Sequence, residues 1–297
     1  MLIGVLPPYR AGVTADPQWM VEFAQVVEAS GAESLYLVEH VAVAAGYADG
    51  YPYSATGRMP LPEDCPIPDP LELTAFLAGR TTTLRFGTGV LVAPHHHPVT
   101  LAKRLCTLDA LSGGRVSAGF GVGWMREEVE STGSAFSTRG KRTSELLAAL
   151  RAVLDHDPAT FSGEFFDFSA MRVHPRPTER ISLHVGGHSE AAARRAGRHA
   201  DGLHPLGLDE ATLSQRWDVT RRTAEEAGRD PDALELSITL PVAAVDADAV
   251  ERWRRIGVHR IVCSAAGSGA DQTHIDPSDI APMLTVAVDA AAGAGQR

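Results

Sequence analysis

Short apolar, β-branched runs alternate with amphipathic helical segments almost from one end of the chain to the other. The strand-like runs fall at 2–6, 34–38, 84–92, 115–120, 181–185, 202–206, 234–242 and 260–264. Helical spacing of apolar positions fills 17–30, 69–80, 98–111, 139–155, 189–200, 209–228 and 247–256, with a last segment near 277–292. Asp16-Pro17, Asp69-Pro70 and Asp276-Pro277 each set an N-cap before a helix-initiating proline. Eight strands, each followed by a helix, predict all-parallel pairing. A closed (β/α)8 TIM barrel, typically about 250 residues, uses this count fully. An open doubly wound sheet is the alternative, but no GxGxxG follows the first strand. The expected class is α/β, one barrel domain over residues 1–297.

Three connections are too long for ordinary loops. Two of them, 41–68 and 121–138, follow strands and are expected at the C-terminal face, where barrel enzymes build their sites. The third, 156–180, follows a helix, and "FSGEFFDF" within it reads as a small hairpin outside the barrel. The final stretch "AAAGAGQR" is expected to fray.

Composition narrows the class without naming a chemistry. A net charge of -10 argues against an electrostatic binder of nucleic acid or anionic membrane. Cys65, Cys106 and Cys263 are far apart and show no CxxC spacing, which suggests free thiols. The start "MLIGVLPPYR" has no basic n-region and reads as a first strand, and no apolar run is long enough to span a bilayer. A cytoplasmic enzyme acting on a small molecule is the expectation.

Candidate chemistry collects at the strand C-termini. After the fifth strand, Gly186 and Gly187 precede His188 and Ser189, and a helix follows. Adjacent glycines pack no side chain, so either a tight turn needs them or an anion approaches bare N–H groups at the helix start. Arg194 and Arg195 lie farther into that helix, as nearby charge or plain surface. Gly119, Gly121 and Gly123 alternate at the end of the fourth strand, clearing room for a flat ring or for close packing inside the barrel. His40 closes the second strand and suits general acid–base work, while its neighbour Glu39 points to the other face. His95, His96 and His97 suggest metal chemistry, but consecutive residues do not converge on one ion, so no metal site is assigned. No GxSxG occurs. Trp124, Tyr47, Tyr51 and Tyr53 can wall a pocket for a planar ligand or simply anchor loops.

In order and spacing, "GAESLYLVEHV", "GTGVLVAPHHHPVTLAKRLCTLDALSGGRVSAGFGVGWMREE" and "GGHSEAAARRAGRHADGLHP" resemble the luciferase-like monooxygenase superfamily. Within it, the likeness is to oxidoreductases that use coenzyme F420, an 8-hydroxy-5-deazaflavin; members that use FMN share the same motifs. The resemblance implies a (β/α)8 barrel with insertions, usually a homodimer. It places the cofactor at the C-terminal rim, with its phosphate at Gly186, Gly187, His188 and Ser189. It also implies a bulge in the third strand, with a non-proline cis peptide at Gly89-Val90 supporting the ring. Such a bond costs about 3 kcal/mol. Gly123 would line the cofactor, and His40 would stand near the reactive ring. Family dehydrogenases of sugar phosphates have Asp-His at the second strand, and Glu and Asn after the strand-four glycines. Glu39-His40, Trp124 and Glu127 stand in those places here, so a sugar-phosphate substrate is not carried over.

The expected activity is hydride transfer between a small organic substrate and deazaflavin C5, with His40 handling the proton. The alternatives are an FMN-dependent monooxygenase, a non-catalytic cofactor-binding protein and, farthest, a metal-dependent hydrolase.

Overall fold

Parallel hydrogen bonding closes on itself around the chain. The structure, a computed structural model, describes residues 1–265 and 276–293, so residues 294–297 of the expected frayed tail lie outside it. The barrel strands are β1 (Leu2–Leu6), β2 (Ser34–Val38), β3 (Arg85–Val92) and β4 (Ser117–Gly121). A hairpin of β5 (Ala159–Ser162) and β6 (Asp167–Met171) stands apart. The barrel continues with β7 (Ser182–Gly186), β8 (Gly202–His204), β9 (Glu235–Pro241) and β10 (Arg260–Ser264). Its order is β1-β10-β9-β8-β7-β4-β3-β2, closed, as the eightfold alternation predicts. Most strand ends fall within one residue of expectation, and two differ by two residues. Strand β8 stops at His204 because Pro205 has no N–H to donate. Strand β4 starts at Ser117, after a single parallel bridge between Val116 and Phe86, and the Arg115 guanidinium just before it donates to the carbonyls of Leu84 (2.7 Å) and Ala78 (2.8 Å).

Helices α1 (Pro17–Ala29), α2 (Pro70–Ala78) and α3 (Pro98–Ser112) follow the first three strands. The 121–138 connection holds a short helix α4 (Arg126–Ser131), ahead of α5 (Arg139–Asp155). The remaining strands are followed by α6 (Glu190–His199), α7 (Glu210–Glu226), α8 (Ala247–Ile256) and α9 (Ala281–Gly293). The Asp-Pro caps form: Asp16 accepts from Gln18 and Trp19 N–H, and Asp69 from Leu71 and Glu72 N–H. Each is worth about 1 kcal/mol. Asp276 caps a 3₁₀ turn, Pro277–Ile280, that leads into α9. Gly197 lets α6 lie close on α7: a Cβ there would come within 2.3 Å of the Thr220 carbonyl. The hairpin turn is held by Glu145 of α5, whose carboxylate accepts from the N–H groups of Glu164, Phe165 and Phe166. Among the described residues no helix is long and apolar enough to cross a membrane.

The end of the barrel opposite the long strand-following connections is closed by charge. Arg260, 6% exposed, donates to Glu33 (3.1 Å), Glu235 (2.9 Å) and Ser237 (3.3 Å). Both carboxylates enter at strand starts, so one guanidinium ties β2, β9 and β10 together. Replacing Arg260 with Gln is expected to cost about 2 kcal/mol, below the ~3–5 kcal/mol of a fully buried broken pair, because the Glu235 side chain is 39% exposed. The check is urea unfolding, where the midpoint should fall at unchanged slope; an unmoved midpoint would show that the cluster does not brace the barrel.

Candidate active site

The site begins with one surplus residue in β3. Leu37 pairs with Thr88, but Val38 pairs with Val90, so Gly89 is bulged out of the β2–β3 ladder. On the other edge, Thr88 Oγ1 accepts from Gly119 N–H (2.8 Å) and donates to the Gly119 carbonyl (2.9 Å), mending the interrupted β3–β4 pairing. The expected bulge is therefore present, but the Gly89–Val90 peptide is trans; the cis bonds among the described residues are Asp157–Pro158 and His174–Pro175. The register shift alone redirects the strand. It carries Val90 across the barrel mouth, where a Cβ on Gly121 would lie 3.1 Å, and one on Gly186 2.4 Å, from Val90 side-chain carbons. The glycines of β4 thus serve close packing against β3.

The paired glycines after β7 each have a separate reason. Gly186 makes room for Val90, and Gly187 has φ +108°, a conformation that L side chains rarely adopt. Ser189 caps α6, its hydroxyl accepting from Ala192 N–H (3.2 Å), while the N–H groups before it have no intrahelical acceptor. Of the two arginines left open by the sequence, Arg194 turns outward onto Glu190. Arg195 lines the cavity and donates to Ser144 and to the Gly140 carbonyl (both 3.1 Å). Arg139, also on the lining, donates to the Gly123 carbonyl (3.2 Å) and lies 3.7 Å over the Phe136 ring. Among the described residues neither Arg139 nor Arg195 has a carboxylate partner, and burial lowers both their pKa values. His188 Nδ1 is buried with no hydrogen-bond partner among the described residues.

At the end of β2 the two adjacent groups part company. Glu39 is buried and accepts from Val92 N–H (2.5 Å) and His96 Nε2 (3.0 Å), locking β2 to β3 beyond the bulge. His40 lines the cavity and bonds through Nδ1 to Glu128 Oε2 (2.9 Å). The same buried carboxylate accepts from Val41 N–H (2.8 Å) and lies 3.6 Å from His95 Nε2. Burial alone would raise the Glu128 pKa, but bonds and charge from His40 and His95 outweigh it and hold it near about 2. An ionised Glu128 only accepts, so His40 Nδ1 carries the hydrogen and Nε2 is the nitrogen free to exchange a proton. Glu128 was missed by the sequence reading, which singled out its neighbour Glu127. The histidine run diverges: His95 turns to Glu128, His96 to Glu39, and His97 to the Phe166 ring.

All eight residues picked out from the sequence, His40, Gly89, Val90, Gly123, Gly186, Gly187, His188 and Ser189, line one cavity of about 1080 Å³. The long connections supply its aromatic wall, Trp124, Tyr51 and Tyr53 among it. Deeper in the barrel, His204 borders the cavity and shares a hydrogen bond with Thr239 Oγ1 (3.0 Å). Burial, then the charges of His184 and Arg260, press its pKa down to about 3. His184, bonded to Ser182 Oγ (2.9 Å), is lowered to about 4 by burial and by Arg260.

Comparison with known proteins gives this cavity a context. A family model described as luciferase-like monooxygenase matches residues 1–290. An uncharacterised protein of Mycobacterium tuberculosis (strain ATCC 25618 / H37Rv) is 33% identical over 252 residues, 85% of this chain and 86% of that one. The FMNH2-dependent dimethylsulfone monooxygenase of Pseudomonas fluorescens (strain Pf0-1) is 27% identical over 213 residues, 69% of this chain and 54% of that one. An F420-dependent secondary alcohol dehydrogenase, solved with an F420–acetone adduct, has the same fold. It superposes with a TM-score of 0.75 at 18% identity over 96% of this chain and 98% of that one.

The two buried histidines make acid stability a test of the barrel interior. Below their ordinary value of 6.5, the unfolded chain binds protons that the folded chain refuses, so stability falls as pH drops toward 4. Each histidine contributes up to about 1.4 kcal/mol per pH unit in that window. Replacing His204 with Gln should remove one such share from the slope of unfolding free energy between pH 6 and 4. An unchanged slope would mean that His204 titrates alike in both states.

Proposed function

The chain belongs to the luciferase-like monooxygenase family, and from that premise we propose that it is an oxidoreductase moving a hydride between a small organic substrate and a bound deazaflavin, coenzyme F420. The observation that carries the proposal is that one cavity joins the 186–189 loop, the Gly89–Val90 bulge and His40. The residues fit such a cofactor. Backbone N–H groups at the start of α6, the unpartnered His188 Nδ1 and the Arg195 guanidinium would hold a phosphate. Val90, flanked by Gly121 and Gly186, would support the ring, with Gly123 at its edge.

When bound, the deazaflavin supplies a two-electron hydride donor or acceptor at C5. The protein's part is positional and protic. His40 Nε2 takes or returns the proton on the substrate oxygen, while Glu128 fixes the imidazole from the other side. The aromatic wall keeps bulk water from the reacting atoms. Preference for F420 over FMN is supported by the cations beyond the phosphate loop. Arg139 lies on the lining without a carboxylate partner, and Arg126 lines the rim nearby. An F420 tail carries carboxylates past its phosphate, whereas FMN ends there. The FMN-dependent monooxygenase remains the second reading, favoured by the relative named as FMNH2-dependent.

Fluorescence titration with oxidised F420 and with FMN separates the two. F420 is expected to bind about a hundredfold more tightly, a gap of about 2.7 kcal/mol. Replacing Arg139 with Ala should weaken F420 and leave FMN nearly unchanged. The reverse preference, with oxygen uptake under reduced FMN, would move the protein to the monooxygenase reading. Replacing His40 with Gln should lower turnover about 10²–10⁴-fold with cofactor affinity preserved; unchanged turnover would remove His40 from the proton role.

A further inference from the structure

The cavity has two unlike sides. One is strand-borne and glycine-rich, with arginines beside it. The other is an aromatic wall carried by the long connections, in edge-to-face contact from His40 to the phosphate loop. Ring centroids lie 6.0 Å apart for His40 and Trp124, 5.1 Å for Trp124 and Tyr51, 5.4 Å for Tyr51 and Tyr53, and 5.2 Å for Tyr53 and His188. Behind it, Tyr47 packs on Trp124 at 5.2 Å and forms a small apolar cluster with Met59 and Met125. Such mutually braced rings present fixed flat surfaces.

The polar groups along this wall divide sharply. The Tyr47 hydroxyl is occupied, accepting from Met59 N–H (3.0 Å). Asp49 lies 3.5 Å from Arg58, and Glu127 accepts from Ala48 N–H (3.4 Å). Arg10 stands exposed at the rim on the β1 side. The hydroxyls of Tyr51 and Tyr53 differ: both residues line the cavity, and neither hydroxyl has a hydrogen-bond partner among the described residues. Burial raises the pKa of both phenols, that of Tyr53 to about 12, so both remain protonated donors at neutral pH. The cavity volume of about 1080 Å³ slightly exceeds the ~300–1,000 Å³ usual for one ligand, which leaves room for a second molecule beside a cofactor.

We propose that this wall is the substrate subsite, and that it takes an uncharged compound with a flat apolar body whose carbonyl oxygen accepts a hydrogen bond from Tyr51 or Tyr53. The assignment rests on the cofactor occupying the glycine and arginine side. Anionic substrates are disfavoured, because the wall offers phenols and apolar surface with the carboxylates of Asp49 and Glu127 beside it, while Arg10 stands out at the exposed rim. Hydrocarbons of the same shape fill the subsite but leave the phenols unpaired.

Isothermal titration of the cofactor-loaded protein with three bicyclic probes tests this: 1-tetralone, its hydrocarbon counterpart tetralin, and 1-naphthoate. Cofactor loading is read first by absorbance. The expected order is tetralone tightest, with naphthoate at least about tenfold weaker and tetralin about fivefold weaker. Tyr51→Phe and Tyr53→Phe keep the rings, and one or both should bring tetralone down to tetralin while leaving tetralin unchanged. The subsite is overturned if naphthoate binds best, if tetralone and tetralin bind alike in the unsubstituted protein, or if none of the three binds. Failure to load either cofactor would instead overturn the proposed function.

Discussion

Strand β3 carries one residue more than its ladder with β2 can pair, and the cavity is built on that surplus. The extra residue shifts the register, so Val38 pairs with Val90 instead of Gly89, and the side chains from Val90 onward take the face opposite to the one an unbroken ladder would give them. The bulge is costly to leave open, since it interrupts backbone hydrogen bonds on both edges. Two side chains close it. Thr88 bonds to both the N–H and the carbonyl of Gly119 on one edge, and Glu39 takes Val92 N–H on the other. Gly121 and Gly186 then have to be small, because Val90 occupies the space their side chains would need.

Charge is sorted around this floor with little overlap. Buried carboxylates near β2 are saturated: Glu39 by Val92 and His96, Glu128 by His40, His95 and Val41. The guanidiniums near β7 are the opposite case, with Arg139 and Arg195 bonded only to neutral oxygens. A half-buried cation left without a carboxylate is costly, and an anion placed beside it recovers part of that cost. On the proposed function the site has a direction, with an anion at the α6 end and proton exchange at the β2 end.

Much of this is legible in the amino-acid sequence. The period of apolar positions set nearly every strand and helix, because parallel strands buried on both faces read as continuous apolar runs. Strand ends pointed to His40, Gly123 and residues 186–189, the family resemblance added Gly89 and Val90, and all eight share one cavity. What escaped depends on rotation about a helix axis or on a loop path. Glu127 and Glu128 are adjacent, and only the setting of α4 decides which reaches His40. Arg194 and Arg195 pose the same question on α6, where a step of about 100° separates an outward ion pair from the cavity lining. The aromatic wall depends on how residues 41–68 fold back on Trp124, and no periodic pattern encodes such a path. The trans Gly89–Val90 peptide is a further case, since a bulge can redirect a strand with either isomer.

A crystal structure of the protein with oxidised F420 would decide how the cofactor is seated. The phosphate is expected within about 2.7–3.2 Å of N–H groups at residues 188–190 and of the Arg195 guanidinium. The ring is expected over Val90, with its reactive edge toward His40. A phosphate bound at another strand end, or a ring lying away from the Gly89–Val90 bulge, would contradict this seating.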